Sequence, residues 1–322
     1  MHSPPLMWVS ALGVLLMSCN ANAETWPTRT VTAIVPFAAG SFTDVVPRIV
    51  FEQLAKQLGQ NIIVENRPGA GTTTATAFVA RSEPDGYTIL VNSSAHTIAP
   101  ALYPRLSYHP ARDFAGVAPL GIASSVLVVP PAREFKTAAE FVAAAKAKPG
   151  AMNFATPGVG TGLHLSALRF QSSAGIQAVP VTFKGGSESM AEVIAGRIDF
   201  FFAPVGIALQ HVKEGRLTAL AVNGFRRSAA LPEVPTTSEA GFSDAEYPFW
   251  FGMFLPAKTP RPIVDKLYSE TVKALANTTV RDKLVALGVD PLEMTPTEFD
   301  AHVERQIAVD GALVKEAGVK TH

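Results

Sequence analysis

The stretch Ile34-Val35-Pro36-Phe37-Ala38-Ala39-Gly40-Ser41-Phe42-Thr43-Asp44 narrows the possible folds more than any other part of the chain. The apolar run Val31 to Val35 reads as a buried strand that breaks at Pro36. Val46, Val50, Leu54 and Leu58 then recur four residues apart on one face of a helix starting near Asp44. A strand, a small flexible turn and a helix start together aim unpaired backbone N–H groups and the positive end of a helix dipole at one spot. That spot suits an anion. Many folds use the same unit as an ordinary capped helix, so the rest of the chain has to decide between the two.

The same grammar continues. Asn61-Ile62-Ile63-Val64 reads as a second strand, closed by Asn66-Arg67-Pro68-Gly69-Ala70-Gly71 before a small-residue helix from about Thr72 to Arg81. Pro84-Asp85-Gly86 turns into a third strand, Thr88-Ile89-Leu90-Val91, whose carboxyl end carries Asn92-Ser93-Ser94-Ala95-His96. Strands alternating with helices predict a parallel sheet wrapped on both faces, and ligands in such sheets collect at the carboxyl ends of strands. Ser93 and Ser94 are therefore ligand candidates as well as helix caps. His96 reads equally as a surface histidine or a ligand contact.

Past an apolar crossing from Phe114 to Val129, a second unit repeats the first. A helix over Thr137 to Lys146 and a strand at Met152-Asn153-Phe154-Ala155 lead into the glycine-rich turn Thr156-Pro157-Gly158-Val159-Gly160-Thr161-Gly162-Leu163-His164. This is not a dinucleotide fingerprint, because Leu163 stands where glycine is needed. Val179 to Phe183 is the next strand, followed by Lys184-Gly185-Gly186-Ser187 and a helix to about Ile194. Lys184 is the one cation beside the expected cleft, either solvated or attracting an anion from a distance. Ile198 to Phe202 is a buried strand with Ala203 and Pro204 at its carboxyl end, and Phe202 faces either the core or the ligand. After a last clear strand at Leu217 to Val222, Phe249 to Leu255 crosses back. Helices near Pro262–Ala276, Val280–Leu287 and Pro296–Ala317 then close against the first unit.

With 322 residues, 48% of them apolar, the chain is long enough for two cores. The expected architecture is an α/β fold of two lobes, each a mostly parallel sheet wrapped by helices, with a cleft between them. Residues 24–125 and 248–322 form one lobe and 126–247 the other. One wall of the cleft would supply Phe37, Ser41, Phe42, Thr43 and Asp44 with Ser93, Ser94 and His96. The other would supply Thr156, Gly158, Gly160, Thr161 and His164 with Ala203 and Pro204. Backbone N–H groups and hydroxyls can hold a carboxylate without a full countercharge, since helix ends worth ~0.3–1 kcal/mol each add to charge-assisted hydrogen bonds. Asp44 reads equally as a helix cap or as a partner for a cationic group on the ligand.

The order of these motifs, continued by Pro84-Asp85-Gly86-Tyr87-Thr88, Ala101-Leu102-Tyr103-Pro104, Lys148-Pro149-Gly150, Thr161-Gly162-Leu163-His164 and Leu231-Pro232-Glu233-Val234-Pro235-Thr236, resembles the Bug family of periplasmic solute-binding proteins. The resemblance covers nearly the whole chain after Ala23. It implies a type II-like two-lobed binding protein that closes on a small organic acid and delivers it, as a monomer, to integral-membrane subunits of a tripartite tricarboxylate transporter. A ligand sensor presenting its closed form to a signalling receptor is the alternative. The resemblance also implies ligand contacts at Phe37, Ser41, Thr43, Asp44, Ser93, Gly158, Gly160, Thr161 and His164, largely through backbone groups and bridging water. Two positions depart from the pattern: Ser41 stands where many relatives carry glycine, and Phe183 where tyrosine is common.

Other chemistry finds little support. A formal net charge of zero argues against nucleic acid. There is no G-x-S-x-G elbow, S-x-x-K, H-E-x-x-H or P-loop, and the seven histidines show no metal-ligand spacing, so neither an enzyme, a cofactor nor a metal is expected. Met1 to Ala23 lacks Lys, Arg, Asp and Glu, has a short apolar centre from Leu6 to Met17 and ends in Ala21-Asn22-Ala23, which reads as a cleaved secretory signal. Cys19, the single cysteine, lies in Leu16-Met17-Ser18-Cys19, a partial lipobox; cleavage after Ala23 is favoured over lipidation.

Overall fold

The computed structural model describes residues 26–319, so the expected signal segment and Cys19 lie outside the described residues. The chain begins with β1 (Val31–Val35), α1 (Phe42–Leu58), β2 (Ile62–Asn66), α2 (Thr73–Ala80), β3 (Thr88–Ser93), α3 (Ala95–Leu102) and β4 (Phe114–Ala123). One residue later it enters β5 (Ser125–Val129), followed by α4 (Ala138–Ala147), β6 (Met152–Thr156), α5 (Gly162–Ala174), β7 (Ala178–Thr182), α6 (Gly186–Ile194), β8 (Phe200–Pro204), α7 (Val205–Lys213) and β9 (Thr218–Val222). It returns through β10 (Phe249–Pro256), α8 (Arg261–Ala276), α9 (Thr278–Ala286), β11 (Val289–Asp290) and α10 (Pro296–Glu316).

These strands form two sheets, ordered β11-β4-β10-β3-β1-β2 and β7-β6-β8-β5-β9. The fold is thus two-lobed α/β, but the sheets are mixed where mostly parallel ones were expected. β1 pairs in parallel with β2 and β3, and β6 with β7 and β8. β10 runs antiparallel to β3 and β4, and β5 antiparallel to β8 and β9. The cause is the crossing itself. β1, β3, β6 and β8 end facing the opposite lobe, so a chain arriving from that lobe starts its new strand at that end and runs the other way.

The inner strands of each sheet are buried on both faces, so they read as nearly continuous apolar runs. In β1, Val31, Ala33 and Val35 pack into one cluster with α1 and α8, while Ile34 joins another with Phe254 and Phe299. In β8, Phe200 and Phe202 enter the cluster on one side and Phe201 that on the other. Phe202 is therefore a core residue, fully buried against Phe170. The long α10 starts at a capping box, in which Thr295 and Glu298 each bond the other's backbone N–H. It lies along the first sheet, where the Asp300 carboxylate accepts the Gly116 N–H at 2.7 Å. Its far end reaches α5 of the second lobe, where the Ser172 hydroxyl bonds Glu316.

Candidate functional site

β1 stops at Pro36, and the chain needs a left-handed residue to turn into α1; Gly40, at φ +75°, supplies it. The turn is clamped from beneath by Asp44, whose carboxylate accepts the Gly40 N–H at 2.8 Å, Arg48 Nε at 2.9 Å and Asn66 Nδ2 at 2.8 Å. Asn66, at the end of β2, also donates to the Phe37 carbonyl at 3.0 Å. Burial raises the Asp44 pKa, but the bonds from Arg48, Asn66 and Gly40 outweigh it and hold the carboxyl below its usual range. Ser41 occupies the N-cap position without capping, and its hydroxyl is buried with no hydrogen-bond partner.

In the second lobe, β6 ends at Thr156 and the turn 157–161 leads into α5. Gly158 at φ +150° and Gly160 at φ +78° allow it. The Thr156 and Thr161 hydroxyls both donate to the Gly158 carbonyl, at 3.0 and 2.9 Å, and Thr161 caps α5 by accepting the His164 N–H at 3.3 Å. The Gly160 N–H donates to His164 Nδ1 at 3.3 Å. His164 is buried beneath the turn and stacked on Phe154, and burial pushes its pKa down to about 4. A neutral ring keeps Nδ1 an acceptor.

The lobes meet at this second turn. A Cβ on Gly160 would overlap Leu102 of α3, and one on Gly162 would lie 2.6 Å from Ser94 Oγ and 2.8 Å from Phe249 Cβ. Glycine at both positions lets the start of α5 approach the first lobe.

Between the turns lies a cavity of about 370 Å³. Of the residues expected at a ligand, Phe37, Ser41, Phe42, Thr43 and Ser93 line it from the first lobe and Gly158, Gly160, Thr161 and Pro204 from the second. The first residues of α1, α3, α5 and α6 (Phe42, Ala95, Gly162 and Gly186) all stand on its wall, so four helix N-termini converge there. Several carbonyls of the same turns are engaged elsewhere. Ala38 O accepts Ser41 N, Ser41 O accepts Asp44 N and Val45 N, and Gly185 O accepts Ser189 N and Oγ. The wall is therefore rich in donors, and Lys184 is the one charged residue among the described residues lining it. A larger groove of about 800 Å³ runs along the outer flank of α5 beside the C-terminal end of α10. Helix carboxyl ends carry partial negative charge, which makes that groove the poorer anion site.

Six expected residues do not line the cavity, each for a visible reason. Asp44 faces under its own turn, as Thr156 and His164 do under theirs. Ser94 is almost fully buried at the start of α3, against Gly162. Ala203 is buried in the second lobe's core. His96 is fully buried, its ring 4.5 Å from that of Phe254 and 5.1 Å from that of Phe114, with Nε2 donating to the Pro110 carbonyl at 3.2 Å. Burial pushes its pKa down to about 4, as befits a neutral core histidine.

The cavity also takes residues that sequence reasoning left out. Gly69, Ala70, Gly71 and Thr72 line it, and there the expected turn holds positive φ at each residue, +44° at Ala70 and +80° at Thr72. The Pro-Gly signal gave the turn, but not its direction. Tyr103, Ile207 and Phe249 also reach the wall, from helix and strand ends that carry no local sign of it.

A family profile described as the tripartite tricarboxylate transporter family receptor matches residues 46–319. Protein BugT of Bordetella pertussis is 31% identical over 318 residues, covering 97% of this chain and 98% of BugT. The structure of MatC from Rhodopseudomonas palustris with bound malate superposes with a TM-score of 0.82 at 33% identity, covering 90% of this chain and all of MatC. An R. palustris protein solved with adipate gives 0.86 at 28% identity, over 92% of this chain and all of that one. The structure of the periplasmic binding protein BugD gives 0.84 at 30% identity, over 92% of this chain and all of BugD.

Proposed function

Because the chain belongs to the tripartite tricarboxylate transporter receptor family, that of the Bug proteins, we propose that it captures a small carboxylate outside the cytoplasm and delivers it to a membrane transporter. Capture is closure of two lobes, 24–125 with 248–322 and 126–247, around the cavity. The observation that carries this reading is the convergence of α1 and α5 N-termini, one from each lobe, on a donor-rich wall whose lone charge among the described residues is the Lys184 cation. A carboxylate accepting from both helix starts stabilises the closed arrangement because it touches both lobes at once. The malate and adipate held by solved relatives support a carboxylate here.

The chain does no chemistry on its solute. It works in the periplasm after removal of residues 1–23, as a monomer that meets the transporter's membrane subunits. Ligand binding at a hundredfold excess over Kd adds about 2.7 kcal/mol to stability. A thermal-shift screen of small organic acids on the purified chain is therefore expected to find at least one that raises Tm by several degrees. If no carboxylate does so, the capture reading fails. Loss of uptake of that acid on deleting the gene tests delivery.

A further inference from the structure

The first lobe carries a second concave surface, on the outer side of α2. A hollow of about 250 Å³ lies between Thr73, Thr74 and Ala77 of α2 and the segment holding Tyr103, Arg105 and Ser107. Another, of about 510 Å³, continues past Phe78 to Arg81, and Thr74, Ala77 and Ser107 line both. The two make one groove along the helix. Tyr103 stands at its inner end and lines the solute cavity as well; a Cβ on Gly71, in the cavity wall, would overlap the Tyr103 ring.

The charge along this groove has one sign. Arg81 and Arg105 are exposed, and neither guanidinium has a hydrogen bond or ion pair among the described residues. No Asp or Glu lines either hollow among the described residues. Of the acids in the flanking segments, Glu65 accepts Arg67 Nε at 2.7 Å and Glu83 stands beyond the end of α2. Phe78 adds an apolar face that is 45% exposed, with the Arg67 guanidinium over its ring at 4.1 Å from the centroid. Aromatic residues and arginine are the side chains in which protein interfaces are enriched.

We infer that this groove is the surface on which a membrane subunit of the transporter docks, and that it takes a short extended segment of that subunit bearing carboxylates and an apolar side chain. This rests on the delivery reading and names the surface that delivery uses. Carboxylates of the segment pair with Arg81 and Arg105, and its apolar side chain covers Phe78. Thr73 to Arg81 spans about 12 Å along the helix, the length of about four extended residues. Membrane proteins keep Lys and Arg on the cytoplasmic side, so the outer face of a transporter is poor in them and suits a basic groove. A flat anionic bilayer meets the same charges but cannot follow the hollow. Tyr103, shared by groove and cavity, sets the docked segment beside the captured solute.

The test is photo-crosslinking in cells that express the chain with p-benzoylphenylalanine at Thr74, in the groove, or at Val272, exposed on α8 at the opposite face of the first sheet. A covalent adduct with a multi-span membrane subunit of the transporter, identified by mass spectrometry, is expected from position 74 and not from 272. Arg81→Glu combined with Arg105→Glu is expected to cut its yield about tenfold or more, because like charges then face each other. The Arg81→Gln and Arg105→Gln pair, which removes charge without reversing it, is expected to cut it less. Both pairs should leave Tm of the purified chain, and its rise with an organic acid, unchanged. No such adduct from position 74, equal adducts from both positions, a yield unaltered by the Glu pair, or adducts with lipid alone each overturn the inference and leave carboxylate capture standing. Capture itself is read separately, by whether any acid raises Tm of the parent chain.

Discussion

Asp44 directs its carboxylate into the backbone of its own turn, so its loss acts on the turn before it acts on any ligand. Asp44→Ala leaves the Gly40 N–H, Asn66 Nδ2 and Arg48 Nε without their acceptor. Stability is expected to fall by about 1–3 kcal/mol in urea denaturation, with carboxylate affinity falling in step. Affinity lost at unchanged stability would instead mean that Asp44 touches the solute. His164 acts likewise from below the second turn. Its pKa in the folded chain is about 4 against an ordinary 6.5, so on acidification the unfolded chain takes up the proton first. The stability from a neutral His164 is complete above about pH 6.5 and is lost as pH falls towards 4. Replacing it with asparagine, which retains an acceptor and does not titrate, should flatten the loss of stability between pH 6.5 and 4. An unchanged slope would exclude His164 as an acid-sensitive group.

β10 shows how an element can be legible while its surroundings are not. Gly252 lies inside it with Phe299 of α10 pressed against the backbone; a Cβ there would overlap the Phe299 ring and come within 3.1 Å of Trp250. Gly252→Ala is expected to cost about 1–3 kcal/mol, with part regained on adding Phe299→Leu, as a double-mutant cycle in denaturant would show. If the two changes simply add, the strain does not lie at that contact. The apolar run Phe249 to Leu255 announced a return to the first lobe, and Pro and Gly residues marked the turns. Neither signal carries direction, so the antiparallel entry of β5 and β10 stayed hidden. The cleft divides in the same way. Ser93 and the two glycine-rich turns lie where strand ends put them. α3, however, begins at Ala95, and a helical rotation of about 100° per residue places Ala95 on the cavity and carries His96 round to Phe114 and Phe254. Periodicity places a residue on an element; which face meets the other lobe depends on how the elements pack.

The two lobes are joined by a hydrogen-bond chain through both crossings. The Ser125 N–H donates to Asn223 Oδ1 at 2.7 Å, and Asn223 Nδ2 to Ser166 Oγ of α5 at 2.9 Å and to the Tyr247 carbonyl at 2.8 Å. The Tyr247 hydroxyl donates at 2.5 Å to Asp310 of α10, which also accepts from Thr97 of α3 at 2.6 Å. Burial raises the Asp310 pKa to about 6 despite the bonds from Thr97 and Tyr247, and Arg169 of α5 is the cation felt at Tyr247. Here the sign is opposite to that of the histidines. The folded chain holds the Asp310 proton up to about pH 6 while the unfolded chain releases it near 3.8, so stability falls as pH rises through that interval, by about 3 kcal/mol in all. His96 and His164 lower stability as pH falls through nearly the same interval. Asp310 therefore offsets part of the acid loss of the whole molecule. Asp310→Asn, with a non-titrating side chain of the same shape, is expected to be the more stable protein at pH 8 and to lose stability more steeply than the parent between pH 6.5 and 4. Urea denaturation at half-unit pH steps reads both slopes, and parallel curves would mean that Asp310 releases its proton at the same pH in the folded and unfolded chains.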